Sequence, residues 1–201
     1  MTILSVNNSF MNSVTYILYS EDIEYCVLID CGEWETLLPV VECINKSIDA
    51  VLLTHGHLDH IKGLNNLLSL YPGVKIYTTN EGIDELQNPK RNLSFYHGCA
   101  FTIDTSNVQI VKGGDSIYFN NLAEIKVIST PGHTPSCLTF QLGSNLFTGD
   151  AYIPGIKTFT KIPRGNKELA EKSIALLSSL EERGYIIHCG HHSYCYNGEM
   201  T

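Results

Sequence analysis

Thr54-His55-Gly56-His57-Leu58-Asp59-His60 places four ligand-type side chains within six residues, directly after the apolar run Ala50 to Thr54. That run reads as a buried strand. Two histidines spaced i and i+2 cannot share a helical face. His55 and His57 therefore suit a loop from which both imidazoles converge on one cation, with Gly56 permitting the tight backbone between them. Asp59 and His60 stand where a helix begins, because Ile61, Leu64, Leu67 and Leu68 then recur on one helical face until Tyr71-Pro72-Gly73 stops them. From there they can reach a second cation beside the first.

The same grammar returns downstream, a hydrophobic strand ending in a glycine-containing turn that bears a ligand-type residue. The segments are Thr130-Pro131-Gly132-His133-Thr134, Phe147-Thr148-Gly149-Asp150 and Cys189-Gly190-His191-His192. A strand end is rigid where it leaves the sheet and open where its loop begins, so ligands there can be held accurately around a cleft. Taken singly, His133 reads as a hydrogen-bonded surface histidine and Asp150 as a turn aspartate. Their order along the chain argues for one shared site.

Outward from these loops, Thr2 to Val6, Ser13 to Tyr19 and Tyr25 to Asp30 read as a meander of strands. Trp34 to Lys46 has helical spacing, with Pro39 arguing that the helix proper begins near it. Val74 to Thr78 is a further strand, and Glu81 to Ala100 reads as a short helix and a covering loop. Strands follow at Val108 to Val111, Ala123 to Ser129, Cys137 to Leu142 and Leu146 to Thr148. Asn166 caps a last helix that turns Leu169, Ile174, Leu177 and Leu180 to the core, before a strand at Tyr185 to Ile187. This mixture predicts an α/β fold of sheets packed on one another with helices outside, rather than a doubly wound parallel sheet. The strand pairing does not follow from periodicity.

With 201 residues, 43% hydrophobic and 17% charged, the chain is expected to form one domain over 1–201. The net charge of -8, with Lys90-Arg91 as the only adjacent basic pair, argues against a nucleic-acid partner. No membrane helix or signal peptide is visible at Met1 to Asn8, and the cysteines are dispersed without a C-x-x-C pair. Both point to the cytoplasm.

These segments together resemble the metallo-β-lactamase-fold hydrolase superfamily over nearly the whole chain. The likeness rests on His-x-His-x-Asp-His at His55, His57, Asp59 and His60, Thr-Pro-Gly-His-Thr around His133, Thr-Gly-Asp at Asp150, and Gly-His at His191. In motif style it is to the glyoxalase II-like branch. The resemblance implies an αβ/βα four-layer sandwich, two central mixed sheets covered by outer helices, with the site at one edge between them. It implies that His55, His57 and His133 bind one metal, that Asp59, His60 and His191 bind a second, and that Asp150 bridges them. Asp30, in Asp30-Cys31-Gly32, is implied to support the metal loops from behind. The family's usual Pro-Gly-His-Gly reads Cys189-Gly190-His191-His192 here, with His188 as a further candidate. His191 takes the role because it follows the glycine.

Imidazole and carboxylate donors without thiolate suit two zinc ions, with manganese or iron as alternatives. The expected activity is hydrolysis of a small-molecule ester, thioester, lactone or amide by a hydroxide held between the metals, with Asp59 as the catalytic residue that orients it. His97 and Tyr96 in the covering loop, and Tyr152, Lys161 and Arg164 after Asp150, are candidate substrate contacts. The ordinary alternatives for these five are packed aromatics and exposed charges. One rival activity is that of an oxidoreductase resembling the persulfide dioxygenases, which hold one iron on two histidines and a carboxylate. The other rival is a catalytically silent metal-binding module, disfavoured because unpaired buried ionisable groups are costly. Glyoxalase II-like enzymes carry a C-terminal helical region that grips glutathione, whereas Ser193 to Thr201 alone follow the last histidine pair here. The expectation is therefore a small or differently held substrate.

Overall fold

Runs that are apolar on both faces set the layers. The computed structural model describes residues 1–120 and 122–191. A six-stranded sheet takes β1 (Thr2–Asn7), β2 (Val14–Tyr19), β3 (Tyr25–Ile29), β4 (Ser47–Leu52), β5 (Lys75–Thr78) and β6 (Val108–Ile110) in sequence order. The first three form an antiparallel meander, and β3 to β6 run parallel. Parallel neighbours need long crossovers. Here those carry α1 (Trp34–Ile44), then α2 (Leu58–Ile61) with α3 (Leu64–Leu70), then α4 (Asn80–Leu86).

The second sheet has five strands, β7 (Ser116–Ile117), β8 (Ile125–Ser129), β9 (Leu138–Leu142), β10 (Asn145–Gly149) and β11 (Ile186–Cys189), in the order β11-β10-β9-β8-β7. It is antiparallel except where β10 and β11, joined through α5 (Lys167–Glu182), run parallel.

Alternation along each strand distributes the core. In β3 and β4, Leu28 and Val51 join Trp34, Leu37, Ile61 and Leu64 on the helical side. Val27, Ile29, Ala50 and Leu52 meet Val127, Phe140 and Phe147 between the sheets. Leu146 turns the other way, onto Leu177 of α5. The result is the expected αβ/βα sandwich of mixed sheets.

Several boundaries differ from the sequence reading. The first helix begins at Trp34 and keeps Pro39 inside it, because burial of Trp34, Leu37 and Val41 outweighs the missing N–H. The helix after Asp59 is two pieces. Cys31 takes the amide of Gly63 on its carbonyl (3.1 Å) and donates to His60 O (2.8 Å), pulling the chain out of register there. Strand β7 was not foreseen, being two residues long. In α5 the buried positions are Ala170, Ser173 and Leu177, while Leu169 is exposed. Small Ala170 lets the helix lie against Gly132, where a Cβ would stand 2.2 Å from Ala170 N.

Candidate metal centre

Four loops at strand ends meet at one edge of the two sheets. The segment after β4 carries His55 to His60, and the second sheet supplies His133 after β8, Asp150 after β10 and His191 after β11. The five histidines of this group and Asp59 are buried, with His55 at 0% and Asp59 at 6% exposure, while Asp150 is partly covered.

The ligand-type atoms fall into overlapping sets. His57 Nδ1 lies 3.1 Å from His55 Nε2 and 3.0 Å from His133 Nε2. Asp59 Oδ2 lies 3.4 Å from His60 Nε2 and 3.2 Å from His191 Nε2. Asp150 stands between them, with Oδ1 3.4 Å from His60 Nε2 and Oδ2 3.5 Å from His133 Nε2 and 3.3 Å from His191 Nε2. Within each of the sets His55–His57–His133, His55–His60–Asp150 and Asp59–His60–His191, the donor atoms lie within 4.8 Å of one another.

Hydrogen bonds on the far side of each ring assign its proton. His133 Nδ1 donates to Phe159 O (2.7 Å) and His191 Nδ1 to Met11 O (3.0 Å). His60 Nδ1 donates to Asp30 Oδ2 (2.8 Å). The Thr54 hydroxyl gives its proton to Asp30 Oδ2 (2.7 Å) and so accepts from His55 Nδ1 (3.2 Å). Every Nε2 of these four rings is thus left with a lone pair aimed into the cluster, facing carboxylate oxygens or other lone pairs. His60 Nε2 and Asp150 Oδ1 are buried with no hydrogen-bond partner. Such an arrangement suits divalent metal binding. Donors about 2.0–2.1 Å from one zinc in a tetrahedral array stand roughly 3.3 Å apart, so the spacings here fit.

As bare side chains the two ends titrate in opposite senses. Burial and the neighbouring histidines hold His55 well below the ordinary range, and burial with His133 pushes His57 down to about 3. At the other end burial pulls down, yet Asp150 and Asp59 push His191 up to about 10, and the carboxylates of Asp59, Asp150 and Asp30 hold His60 well above its usual value. Against the opposing effect of burial, His60 and His191 keep Asp59 and Asp150 below the usual carboxylate range. Divalent metal binding would answer both demands, replacing a proton where carboxylates crowd and taking neutral imidazoles where protons are repelled.

Asp30 leaves β3 with a left-handed φ of 61°, which aims its carboxylate beneath the ligand loop. There Oδ1 accepts from Thr54 N (2.7 Å), and Oδ2 takes the bonds from Thr54 and His60. Ser13 Oγ donates to Asp59 O (2.7 Å). On the opposite flank Glu85 of α4 takes the amide of Gly56 and the hydroxyl of Ser136. Thr54, Ser13 and Glu85 were not singled out from the sequence. The carbonyls of Met11 and Phe159 carry no side-chain signature at all.

The candidate substrate contacts part company with the cluster to different degrees. The ring of Tyr152 packs under α5 and its phenol donates to Glu181 Oε2 (2.6 Å). Arg164 turns to Asp84 (3.5 Å), which Arg91 also holds (2.5 Å). His97 is exposed, its ring edge-on to Phe10 at 5.9 Å, next to the Met11 carbonyl that serves His191. Tyr96 and Lys161 are exposed. His188 stacks on Phe147 (4.8 Å) and bonds Asn145 Oδ1 (2.9 Å), away from the cluster. His192 lies outside the described residues.

Comparison with known proteins gives the same outline. A family model described as the metallo-beta-lactamase superfamily matches residues 10–191. A hydroxyacylglutathione hydrolase of Buchnera aphidicola subsp. Schizaphis graminum is 30% identical over 153 residues, covering 76% of this chain and 52% of that protein. The chain spans about half the length of the first such relatives. Among solved structures, the BLEG-1 B3 metallo-beta-lactamase superposes with a TM-score of 0.85 at 23% identity, over 95% of this chain and 92% of its own. ETHE1 from Myxococcus xanthus superposes with a TM-score of 0.73 at 25% identity, over 99% and 78%.

Proposed function

The chain belongs to the metallo-beta-lactamase superfamily, and from that membership we propose that it is a binuclear zinc hydrolase acting on the carbonyl of a small ester, thioester or lactone. The observation that carries this reading is the set of converging lone pairs, complete at both ends and joined by Asp150. His55, His57 and His133 would hold one ion and Asp59, His60 and His191 the other, with Asp150 available to both. When bound, two divalent cations supply Lewis acidity that polarises a carbonyl and lowers the pKa of water from about 15.7 to about 7. The protein's own part is orientation. Asp59, whose backbone carbonyl accepts from Ser13 Oγ and whose Oδ2 lies 3.2 Å from His191 Nε2, would align the attacking water. Asp30 locks His55, through Thr54, and His60 in the ligating tautomer.

Nitrogen and oxygen donors favour zinc, with manganese or iron accepted by the same set. A thioester is the first substrate class to test, since the curated relatives are named hydroxyacylglutathione hydrolases. Completeness of both groups supports hydrolysis over the single-iron oxidoreductase, which needs three ligands only. The six described cysteines are free and no described helix is long and apolar enough to cross a membrane, which supports work in the cytoplasm.

Metal analysis of purified protein, followed by a panel of thioesters, lactones, phosphodiesters and β-lactams with and without chelator, tests the reading. The expected result is two zinc ions per chain and thioester or lactone turnover that chelation abolishes and zinc restores. One iron per chain with oxygen consumption would overturn it in favour of the oxidoreductase.

A further inference from the structure

We propose that Glu85 is a positioning residue that fixes the spacing of the His55–His57–His133 group and so sets how tightly that group holds its ion. The inference rests on the metal reading above.

The two loops that supply these histidines come from different sheets, one following β4 and the other β8. A backbone bond from Leu138 N to Thr54 O (2.8 Å) joins the two segments at their base, and Glu85 links the loops themselves. It is 2% exposed. Its Oε2 accepts from the backbone N–H of Gly56 (2.8 Å), the residue between His55 and His57. The same atom accepts from Ser136 Oγ (2.5 Å), whose oxygen in turn accepts from the Thr134 hydroxyl. Thr134 and Ser136 follow His133, and their hydroxyls bond one another at 2.8 Å. One carboxylate therefore grips an amide on the first loop and a hydroxyl on the second.

The seat is built for this side chain. A Cβ on Gly56 would lie 2.5 Å from Glu85 Cβ and 2.8 Å from Oε2, so the approach requires glycine at that position. A buried carboxylate is costly unless donors meet it, and charge-assisted bonds such as the two from Gly56 N and Ser136 Oγ are among the strongest that side chains make. The helix behind it is anchored as well. Thr79 caps α4 by accepting from Gly82 N (3.0 Å), and the neighbouring Asp84 faces outward onto Arg91 and Arg164. Asp84 thus ties α4 to two surface loops while Glu85, one residue on, ties it to the ligands. Each of Glu85's hydrogen bonds given above falls on a loop of the three-histidine group, so its effect is selective for that end of the cluster.

Metal-free full-length protein titrated with Co2+ tests this, reading the visible absorption of the bound ion and competition with a chromophoric chelator. The wild type is expected to show two binding steps. Glu85→Ala should weaken by about 10–100-fold the step that His57→Ala abolishes, change its absorption band, and leave the other step unaltered. Glu85→Gln keeps an oxygen for the Gly56 amide and should recover most of the loss, while Ser136→Ala should weaken the same step by a smaller factor. Should Glu85→Ala not fold, the Gln and Ser136 variants carry the comparison. Wild-type constants in all three variants, or equal weakening of both steps, would overturn the positioning role while leaving the metal reading intact. A wild type that binds no cobalt would remove both.

Discussion

Asp150 reaches both ends of the cluster, with one oxygen toward His60 and the other toward His133 and His191. A residue shared in this way should matter more to metal content than any ligand that serves one ion. Asp150→Ala is therefore expected to reduce zinc to less than one ion per chain by elemental analysis, whereas His97→Ala, whose ring meets Phe10 at the rim, keeps two. Equal metal loss in the two variants would contradict the assignment. At this scale the sequence was most legible, because ligand chemistry is a property of residue type and the motif spacing is local. What it concealed were partners that act through the backbone, such as the carbonyls of Met11 and Phe159. It also concealed Glu85, a single carboxylate in a stretch without periodic pattern. It concealed as well the bond from the Tyr152 phenol to Glu181, 29 positions on.

At the scale of elements, patterning located the strands but not the joints between them. The break between α2 and α3 depends on the backbone of Cys31, distant in sequence from Gly63. The loop between β1 and β2 shows a similar dependence. Glu33, just before α1, accepts from Ser9 N (2.7 Å), Ser9 Oγ (2.6 Å) and Phe10 N (3.0 Å) through Oε2, and from Lys62 Nζ (2.9 Å) through Oε1. Burial opposes ionisation, but the bonds from Lys62 and Ser9 and the amide of Phe10 pull its carboxyl down to about 2, against an ordinary 4.5. A folded-state value below the unfolded one means that the stabilisation is fully present above about pH 4.5 and is lost as pH falls toward 2. Glu33→Gln should accordingly cost about 1–3 kcal/mol at pH 7. Thermal melting of chelator-treated protein should show wild type and variant converging between pH 4.5 and pH 2. A gap that stays constant over that interval would refute this role for Glu33.

Across the whole molecule, the order of four strand-end loops was legible, while the pairing of the eleven strands among the described residues into two mixed sheets was not. Pairing depends on contacts between residues far apart in the chain, such as Val27 of β3 against its neighbours in the second sheet, and one-dimensional periodicity carries no such information. The cluster draws on both sheets, with His55 to His60 from the first and His133, Asp150 and His191 from the second. Ions bound there would cross-link the sandwich at one edge, and binding to the folded state alone adds stability by mass action. Free zinc at a thousand times its dissociation constant contributes about 4 kcal/mol per site. For a chain of this size that is a rise of roughly 8–16 °C in Tm, at about 2–4 °C per kcal/mol. Chelation is therefore expected to lower Tm by at least that amount in calorimetry, with the loss reversed by zinc. The difference should shrink as pH falls, because His60 and His191 must release their protons before they can ligate, and protons then compete for the same lone pairs. A chelated protein that melted with the untreated one at every pH would mean that the lone pairs converging at this edge hold no ion, and that the sheets are joined there by protein contacts alone.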